Sequence, residues 1–344
     1  MPLTLRIDDS PELPPGSLNA QQTRSPLRAP FTVCMWITDY CNLACKYCYA
    51  MPFSGRRIST ERTLELIDEM ADIGVFNLTL AGGEPFLHPD ILKIILHGTK
   101  RGIRVGVLSN GIALDQEVLT VLEKHTNRKN FMLQISLDSV DPAINDRTRG
   151  QTDKVLENIE RVTKTGIDLQ MACVVHKLNV SSAHGMIDAF YPRVKRFHFL
   201  NIQRTERTLK HPHLLLAEED TEYFWSHLSE HAKRFPPDLL LPSLRVQLRS
   251  KGQALGQAEF SMSETPSFDC ASCSAGLTHL QIDSKLNVLG CDIAKDYTIM
   301  GNVSERSFSE VYHSAEAHQV RNASYPACYR ISNEEGRSLA EDLR

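Results

Sequence analysis

Three cysteines fall close together near the start of the chain, in the order Cys41-Asn42-Leu43-Ala44-Cys45-Lys46-Tyr47-Cys48. A gap of three and then of two brings three thiolates together on one loop. Three thiolates suit a cubane iron–sulfur cluster whose fourth iron stays open, as catalytic metal sites keep one position vacant. Cys-x-x-Cys is also common in structural zinc sites, and free cysteines pack in cores, so spacing alone leaves a zinc or thiol alternative standing.

Further along comes Gly82-Gly83-Glu84-Pro85. Two glycines let the backbone approach a ligand closely, and Glu84 offers a carboxylate to an ammonium group. Taken alone, the motif reads equally as a turn. A second set of thiolates, Cys270, Cys273, Cys291 and Cys328, fits either a fully ligated iron–sulfur cluster or a four-thiolate zinc site. Cys34 and Cys173 are left over, and buried packing is the ordinary reading of each. The 13 histidines show no metal-binding spacing; His88, His176 and His198 lie near predicted strand ends.

The elements that must position these residues alternate between β-rich runs and helical periodicities. Strands are predicted at Thr32–Thr38, Phe76–Ala81, Ile103–Ser109, Phe131–Leu137, Ile167–Val175 and Lys195–Gln203. A helix is predicted over Thr60–Ile73, with Leu64, Ile67, Met70 and Ala71 on one face, a cap at Ser59 or Thr60 and a stop at Gly74. Another over Asp153–Thr165 turns Val155, Leu156, Ile159 and Val162 to one side. Six βα units fall short of a closed eightfold barrel. The expected fold is α/β, a partial (β/α)6 TIM-like barrel with its chemistry at the C-terminal strand ends. It is followed by a small C-terminal domain built around metal, with short strands at His279–Ile282 and Asn287–Leu289.

This gives an irregular segment 1–30, a barrel over 31–209, a bridging and substrate-specificity segment over 210–265, a metal domain over 266–330 and a polar tail over 331–344. The bridging segment carries an aromatic, helical stretch at Tyr223, Phe224 and Trp225 and a break at Pro236, Pro237 and Pro242. With 344 residues, 42% of them hydrophobic, the chain has enough apolar material to support itself. A formal net charge of -4 gives no electrostatic reason to expect nucleic acid or an anionic membrane as partner. No signal-peptide core or membrane span is evident, which points to the cytoplasm, where nine cysteines serve metal binding or catalysis rather than disulfides.

Cys41, Cys45, Tyr47 and Cys48 after a first strand, followed by Gly82-Gly83-Glu84-Pro85 after a second, resemble the signature of the radical S-adenosylmethionine (SAM) enzymes. The resemblance spans Thr32–Gln203. It implies a [4Fe–4S] cluster on Cys41, Cys45 and Cys48 that reductively cleaves SAM to a 5′-deoxyadenosyl radical. It also implies that Gly82, Gly83, Glu84 and Pro85 hold the methionine amino group, and that Ser109, Asn110, Ser136 and Asp138 help hold its carboxylate and the ribose. The stretch Asp146–Gly150, with Arg149, is similar to the family's segment before the next helix.

The block Cys270–Cys328 resembles the auxiliary-cluster extension called SPASM and its shortened form, twitch, through Cys273-Ser274-Ala275-Gly276, a hairpin ending in Cys291, and Gly301-Asn302-Val303 before a helix. It departs from the full pattern in two ways. Leu286 stands where the hairpin usually has glycine, and Cys328 stands alone where a dense cysteine run is usual, which implies one auxiliary [4Fe–4S] cluster rather than two. The resemblance implies hydrogen abstraction from a peptide or a small natural-product or cofactor precursor, giving oxidation or bond formation, with a flavodoxin- or ferredoxin-type electron donor. Only about thirty residues precede the barrel, too few for the separate leader-peptide-binding domain of many peptide-modifying members, which favours a small molecule or an externally presented peptide as substrate. Two other readings stand beside this one: a redox-neutral epimerase in which Cys173 returns the hydrogen atom, and a non-catalytic zinc scaffold.

Overall fold

The computed structural model describes residues 27–50, 54–236, 238–240, 276–291 and 298–322. Cys270, Cys273 and Cys328 lie outside these residues, as do the stretches 1–26, 241–275 and 323–344.

The first part of the chain runs β1 (Thr32–Thr38), α1 (Thr60–Ile73), β2 (Asn77–Gly82), α2 (Ile91–Lys100), β3 (Arg104–Ser109), α3 (Gln116–His125) and β4 (Phe131–Ser136). It continues with α4 (Pro142–Asn145), α5 (Thr152–Thr163), β5 (Leu169–Val175), α6 (Gly185–Phe190), β6 (Phe197–Asn201), α7 (Glu206–Leu209) and α8 (Glu218–Ala232). The last part comprises β7 (His279–Ile282), β8 (Asn287–Leu289), β9 (Ile299–Asn302), α9 (Phe308–Tyr312) and α10 (Ala315–Asn322).

The nine strands among the described residues belong to one sheet, in the order β6-β5-β4-β3-β2-β1-β7-β8-β9. The six β/α strands pair parallel from β1 to β6, the expected partial barrel. β7 pairs parallel with the other edge of β1, from Thr32↔His279 to Met35↔Ile282, and β8 and β9 follow antiparallel. Parallel strands covered on both faces read as nearly continuous apolar runs, and β1 is such a run, with Val33, Met35, Trp36 and Ile37 all buried. Because these strands run the same way, the ends of β1 to β5 deliver Thr38, Gly82, Ser109, Ser136 and Val175 to one rim of the barrel.

The helices have local causes. Ser59 accepts the Arg62 amide at 3.1 Å to open α1, and Gly74 closes it at φ 99°, a left-handed value that glycine adopts without steric cost. The stripe of α1 that meets the sheet is Thr63, Leu66, Ile67 and Met70. Leu64 is only partly buried, so the apolar face is rotated from the one expected. In α5, Val155, Ile159 and Val162 are buried as expected.

The C-terminal elements dock onto the barrel through α1. Arg62 donates to the carbonyl of Val303 from Nε at 3.1 Å and Nη2 at 2.8 Å, while pairing with Glu65 and Glu69. Leu286 adopts φ 67°, so the usual hairpin glycine position keeps its backbone shape with a leucine in it. Asp283 supports that turn by accepting the amides of Lys285 and Asn287 at 2.8 and 2.9 Å. No helix among the described residues is long and apolar enough to cross a membrane.

Candidate active site

The chain leaves β1 at Thr38 and enters the cysteine loop at once. Within it, Leu43 N–H donates to Cys41 Sγ at 3.4 Å and Cys48 N–H to the Cys45 carbonyl at 3.2 Å. Lys46 N–H donates to Thr148 O at 3.0 Å, tying the loop to the segment after α4. Burial pushes the Cys41 thiol up to about 11, and the charges of Glu84, Cys45 and Cys48 add to the rise. Burial likewise raises Cys45 and Cys48, with Arg149 and Arg207 opposing it. Three clustered thiols that resist ionisation become a good ligand set once a cationic metal centre supplies the missing charge.

The glycine pair meets the loop itself. A Cβ on Gly82 would lie 2.2 Å from the Thr38 carbonyl oxygen, and one on Gly83 would lie 2.1 Å from that of Tyr40. Both clashes are with backbone, so neither can be relieved by a side-chain shift. The close approach lets Gly83 N–H donate to Thr38 O at 2.7 Å and Glu84 N–H to Tyr40 O at 2.6 Å. The motif therefore continues the β1–β2 pairing into the approach to Cys41. Pro85 then opens a buried 3-10 turn over Pro85–Leu87.

Glu84 is fully buried. Its carboxylate accepts from Ser109 Oγ at 2.9 Å and from the amides of Asn110 at 2.7 Å and Phe86 at 3.1 Å, which joins the ends of β2 and β3. Burial pushes this carboxyl up to about 7, against three hydrogen bonds that favour its charged form. Asn110 reaches from the end of β3 to the cysteine loop: its Nδ2 donates to Asn42 Oδ1 at 2.7 Å and lies 3.7 Å from Cys41 Sγ.

A second buried hub backs the other end of the loop. Tyr47 donates its hydroxyl hydrogen to Asp138, just beyond β4. Arg149 Nη1 donates to the Tyr47 oxygen at 2.7 Å and stands 3.7 Å from Asp138 Oδ1. Asp138 also accepts the Val174 amide at 3.1 Å and the Thr148 hydroxyl at 3.4 Å. Burial by itself would raise the Asp138 carboxyl; Arg149, His176 and Tyr47 outweigh it and hold the group below its ordinary value. Burial disfavours the Arg149 charge as well, but Tyr47, Cys45 and Asp138 more than offset that and keep it a cation.

His176, at the end of β5, is fully buried. Its Nδ1 accepts the Leu178 amide at 3.2 Å, which leaves the ring hydrogen on Nε2, 3.6 Å from Asp138 Oδ2 and without a hydrogen-bond partner. Cys173 is buried beside it, its Sγ 3.6 Å from both the Asp138 carbonyl and Asn179 Nδ2. Ser136 is partly buried at the end of β4.

The structure thus gathers Cys41, Cys45, Cys48, Tyr47, Gly82, Gly83, Glu84, Pro85, Ser109, Asn110, Asp138 and Arg149 around one loop. Asn42, Thr148, Asn179 and Arg207 join them although no sequence signal singled them out as site residues; Asn42 and Thr148 lie inside stretches quoted for their resemblance. Of the second cysteine set only Cys291 falls among the described residues. It follows β8, its amide donating to Thr298 Oγ1 at 3.1 Å.

Residues 35–190 match the family model of the radical SAM superfamily, and residues 273–331 match SPASM, an iron–sulfur cluster-binding domain. The chain belongs to the radical SAM superfamily. The antilisterial bacteriocin subtilosin biosynthesis protein AlbA of Bacillus subtilis is 24% identical over 311 residues, which are 88% of this chain and 62% of AlbA. The PqqA peptide cyclase of Granulibacter bethesdensis is 26% identical over 171 residues, 48% of this chain and 45% of the cyclase. The chain therefore spans about half to two-thirds of the length of these curated relatives. Streptococcus suis SuiB bound to S-adenosylmethionine shares the fold at a TM-score of 0.68 with 16% identity, over 87% of this chain and 69% of SuiB.

The cofactors of this radical SAM chain are a [4Fe–4S] cluster with SAM and, in the SPASM region, auxiliary iron–sulfur. The residues present fit the first of these. Three half-buried thiols share one loop, and Arg149 and Arg207 oppose the burial that raises Cys45 and Cys48. Among the described residues, no three His, Cys, Asp or Glu side chains converge on a single ion, which a cubane with one thiolate on each of three irons does not require.

Proposed function

We propose that this protein is a maturase that abstracts a hydrogen atom from a peptide, the substrate radical then losing a second electron to the auxiliary iron–sulfur cluster as the peptide is oxidised or a new bond forms in it. The observation that carries this reading is the cysteine loop held at the C-terminal rim of β1 by the Gly83 and Glu84 amides, with three thiols able to ligate three irons of a cluster. With its cluster reduced, bound SAM supplies the 5′-deoxyadenosyl radical.

The chain's own residues orient and enclose. Cys41, Cys45 and Cys48 hold the cluster. Gly82, Gly83 and Pro85 shape the strand end that approaches it, and Glu84 keeps one lone-pair direction beyond its three hydrogen bonds for the ammonium of SAM. Ser109, Asn110, Ser136 and Asp138 form the neighbouring strand ends where the carboxylate and ribose are held, and Arg149 places a buried positive charge beside the loop. Water exclusion follows from the apolar packing of Tyr47 with Ile202 and Leu214 behind Cys45.

A peptide is favoured over a small molecule because AlbA serves bacteriocin biosynthesis and the PqqA enzyme is a peptide cyclase. Cys291 with Cys270, Cys273 and Cys328 would hold one auxiliary [4Fe–4S] cluster. A flavodoxin- or ferredoxin-type protein would supply the electron.

The test is anaerobic reconstitution with iron and sulfide, then dithionite and SAM, with 5′-deoxyadenosine followed by chromatography. About eight irons and deoxyadenosine formation are expected for the wild type, and about four irons without deoxyadenosine after Cys41→Ala, Cys45→Ala and Cys48→Ala together. Colourless, zinc-loaded wild-type protein that makes no deoxyadenosine would overturn the reading.

A further inference from the structure

The segment after β6 crosses back over the cysteine loop, and its anchoring is specific. Thr208, in α7, is buried and donates from Oγ1 to the Gln203 carbonyl at 2.9 Å, which fixes the start of the crossing to the end of β6. Its Oγ1 also accepts the Thr205 amide at 2.7 Å, and Thr205 Oγ1 returns the bond by accepting the Thr208 amide at 3.2 Å. Further on, Lys177 N–H donates to the Leu214 carbonyl at 3.0 Å, and Leu214 is fully buried against Tyr47 and Ile202. The crossing is therefore tied to β6, to the turn after β5 and to the aromatic ring of the cysteine loop.

Between those anchors stands Arg207. Its Nε donates to the Cys45 carbonyl at 2.9 Å and its Nη2 to the Ala44 carbonyl at 3.1 Å. A planar guanidinium can span two consecutive carbonyls in this way; a lysine ammonium, a single point donor on a flexible stem, cannot. The Cys45 carbonyl is shared, because it also accepts Cys48 N–H at 3.2 Å, so the fork acts on the turn that joins two of the three thiols. Among the described residues, Arg149 and Arg207 are the cations that act on both Cys45 and Cys48. Arg149 reaches the loop through the Tyr47 side chain and pairs with Asp138, whereas Arg207 binds the loop's main chain.

We infer that Arg207 is a positioning residue for the cluster, clamping the Ala44–Cys45 turn and placing beside the cluster a positive charge that favours its reduced state. The inference rests on Cys41, Cys45 and Cys48 being the cluster ligands. Its physical content has two separable parts. Adding an electron makes a cluster more negative, so a nearby fixed cation stabilises the reduced form and raises the midpoint potential. A fork on the ligand turn restrains the thiolates, and losing such an outer contact typically weakens metal retention about 10–100-fold.

The experiment uses the full chain, reconstituted anaerobically, as wild type, Arg207→Ala and Arg207→Lys. The cluster at this loop is recognised as the one whose paramagnetic resonance signal changes when SAM is added, which separates it from the SPASM iron. Its midpoint potential is titrated, and iron release is timed under a chelator. Arg207→Ala should shift the midpoint negative and release iron about tenfold faster. Arg207→Lys, keeping the charge without the fork, should hold the midpoint near the wild-type value yet still release iron faster. An unchanged midpoint in Arg207→Ala overturns the inference whatever the iron release does. A wild type with no SAM-responsive signal would instead bring down the assignment of the cysteine loop, so the two failures are distinguishable.

Discussion

The main-chain N–H of Glu84 donates to the carbonyl of Tyr40 at 2.6 Å, one residue before Cys41. The loop that carries the cysteines is thus registered by backbone pairing with the glycine motif and not only by its own turns. Gly83→Ala would place a methyl group 2.1 Å from the Tyr40 oxygen. The expected cost is about 1–3 kcal/mol from overpacking, with a displaced cysteine loop. Urea denaturation together with iron content after reconstitution checks this; wild-type values for both would show that the approach is not needed.

Glu84 gives the fold a pH dependence of definite sign. Its folded pKa of about 7 lies above the ordinary 4.5, so the protonated carboxyl favours the folded state. The stability it contributes is present at acid pH and is lost as pH rises through about 7, roughly 3 kcal/mol in all. Glu84→Gln removes that slope, and it costs about 1–3 kcal/mol by setting an amide NH₂ against other donors. Comparing the urea midpoints of the metal-free proteins at about pH 5 and about pH 8 isolates the term. Parallel pH profiles for the two proteins would remove Glu84 from the account.

The Tyr47–Asp138–Arg149 hub should show graded losses. Tyr47→Phe keeps the ring packing and removes a hydrogen bond to charged partners, an expected loss of about 1.5–3 kcal/mol. Arg149→Ala leaves Asp138 buried without its main cation, an expected loss of about 3–5 kcal/mol. The double variant should lose less than the sum, because the two residues serve one carboxylate. Strict additivity in a denaturation cycle would mean that they act independently.

Cys173 provides a sharper discrimination between reaction types. Its sulfur is buried and held 3.6 Å from both the Asp138 carbonyl and the Asn179 side-chain amide. Cys173→Ala should therefore form both deoxyadenosine and product at the wild-type rate, with a stability loss of about 1 kcal/mol. Deoxyadenosine without product from this variant would identify Cys173 as a hydrogen donor and favour an epimerase.

Much of this fold was legible because its signals are local. The bounds of β1 and α1 follow from an apolar run and from the Ser59 and Gly74 caps, and the structure reproduces both. β5 and β6 are shorter than their apolar runs, since Ile167 and Ile202 are buried outside the paired strands; burial extends past the hydrogen-bonded ladder. β9 escaped notice because it exists through its antiparallel pairing with β8. At the site, the thiol spacing is a short-range pattern and reads directly. The glycine pair was legible as close approach, but residue type does not say what approaches, and here it is the chain's own backbone. Arg207 lies more than 160 positions from the carbonyls it binds, with nothing in its neighbours to mark it.

The pairing of β7 with β1 has a consequence for how the protein can be divided. β1 has β2 on one side and β7 on the other, so the strand that delivers the cysteines is an interior strand only while the C-terminal residues are present. Cutting the chain back to the barrel would leave β1 with a bare row of amides and carbonyls, a template for joining other copies edge to edge. The SPASM region therefore acts as a guard against self-association as well as a carrier of iron. Attempts to express the barrel alone should yield insoluble material even where the core of the barrel is intact.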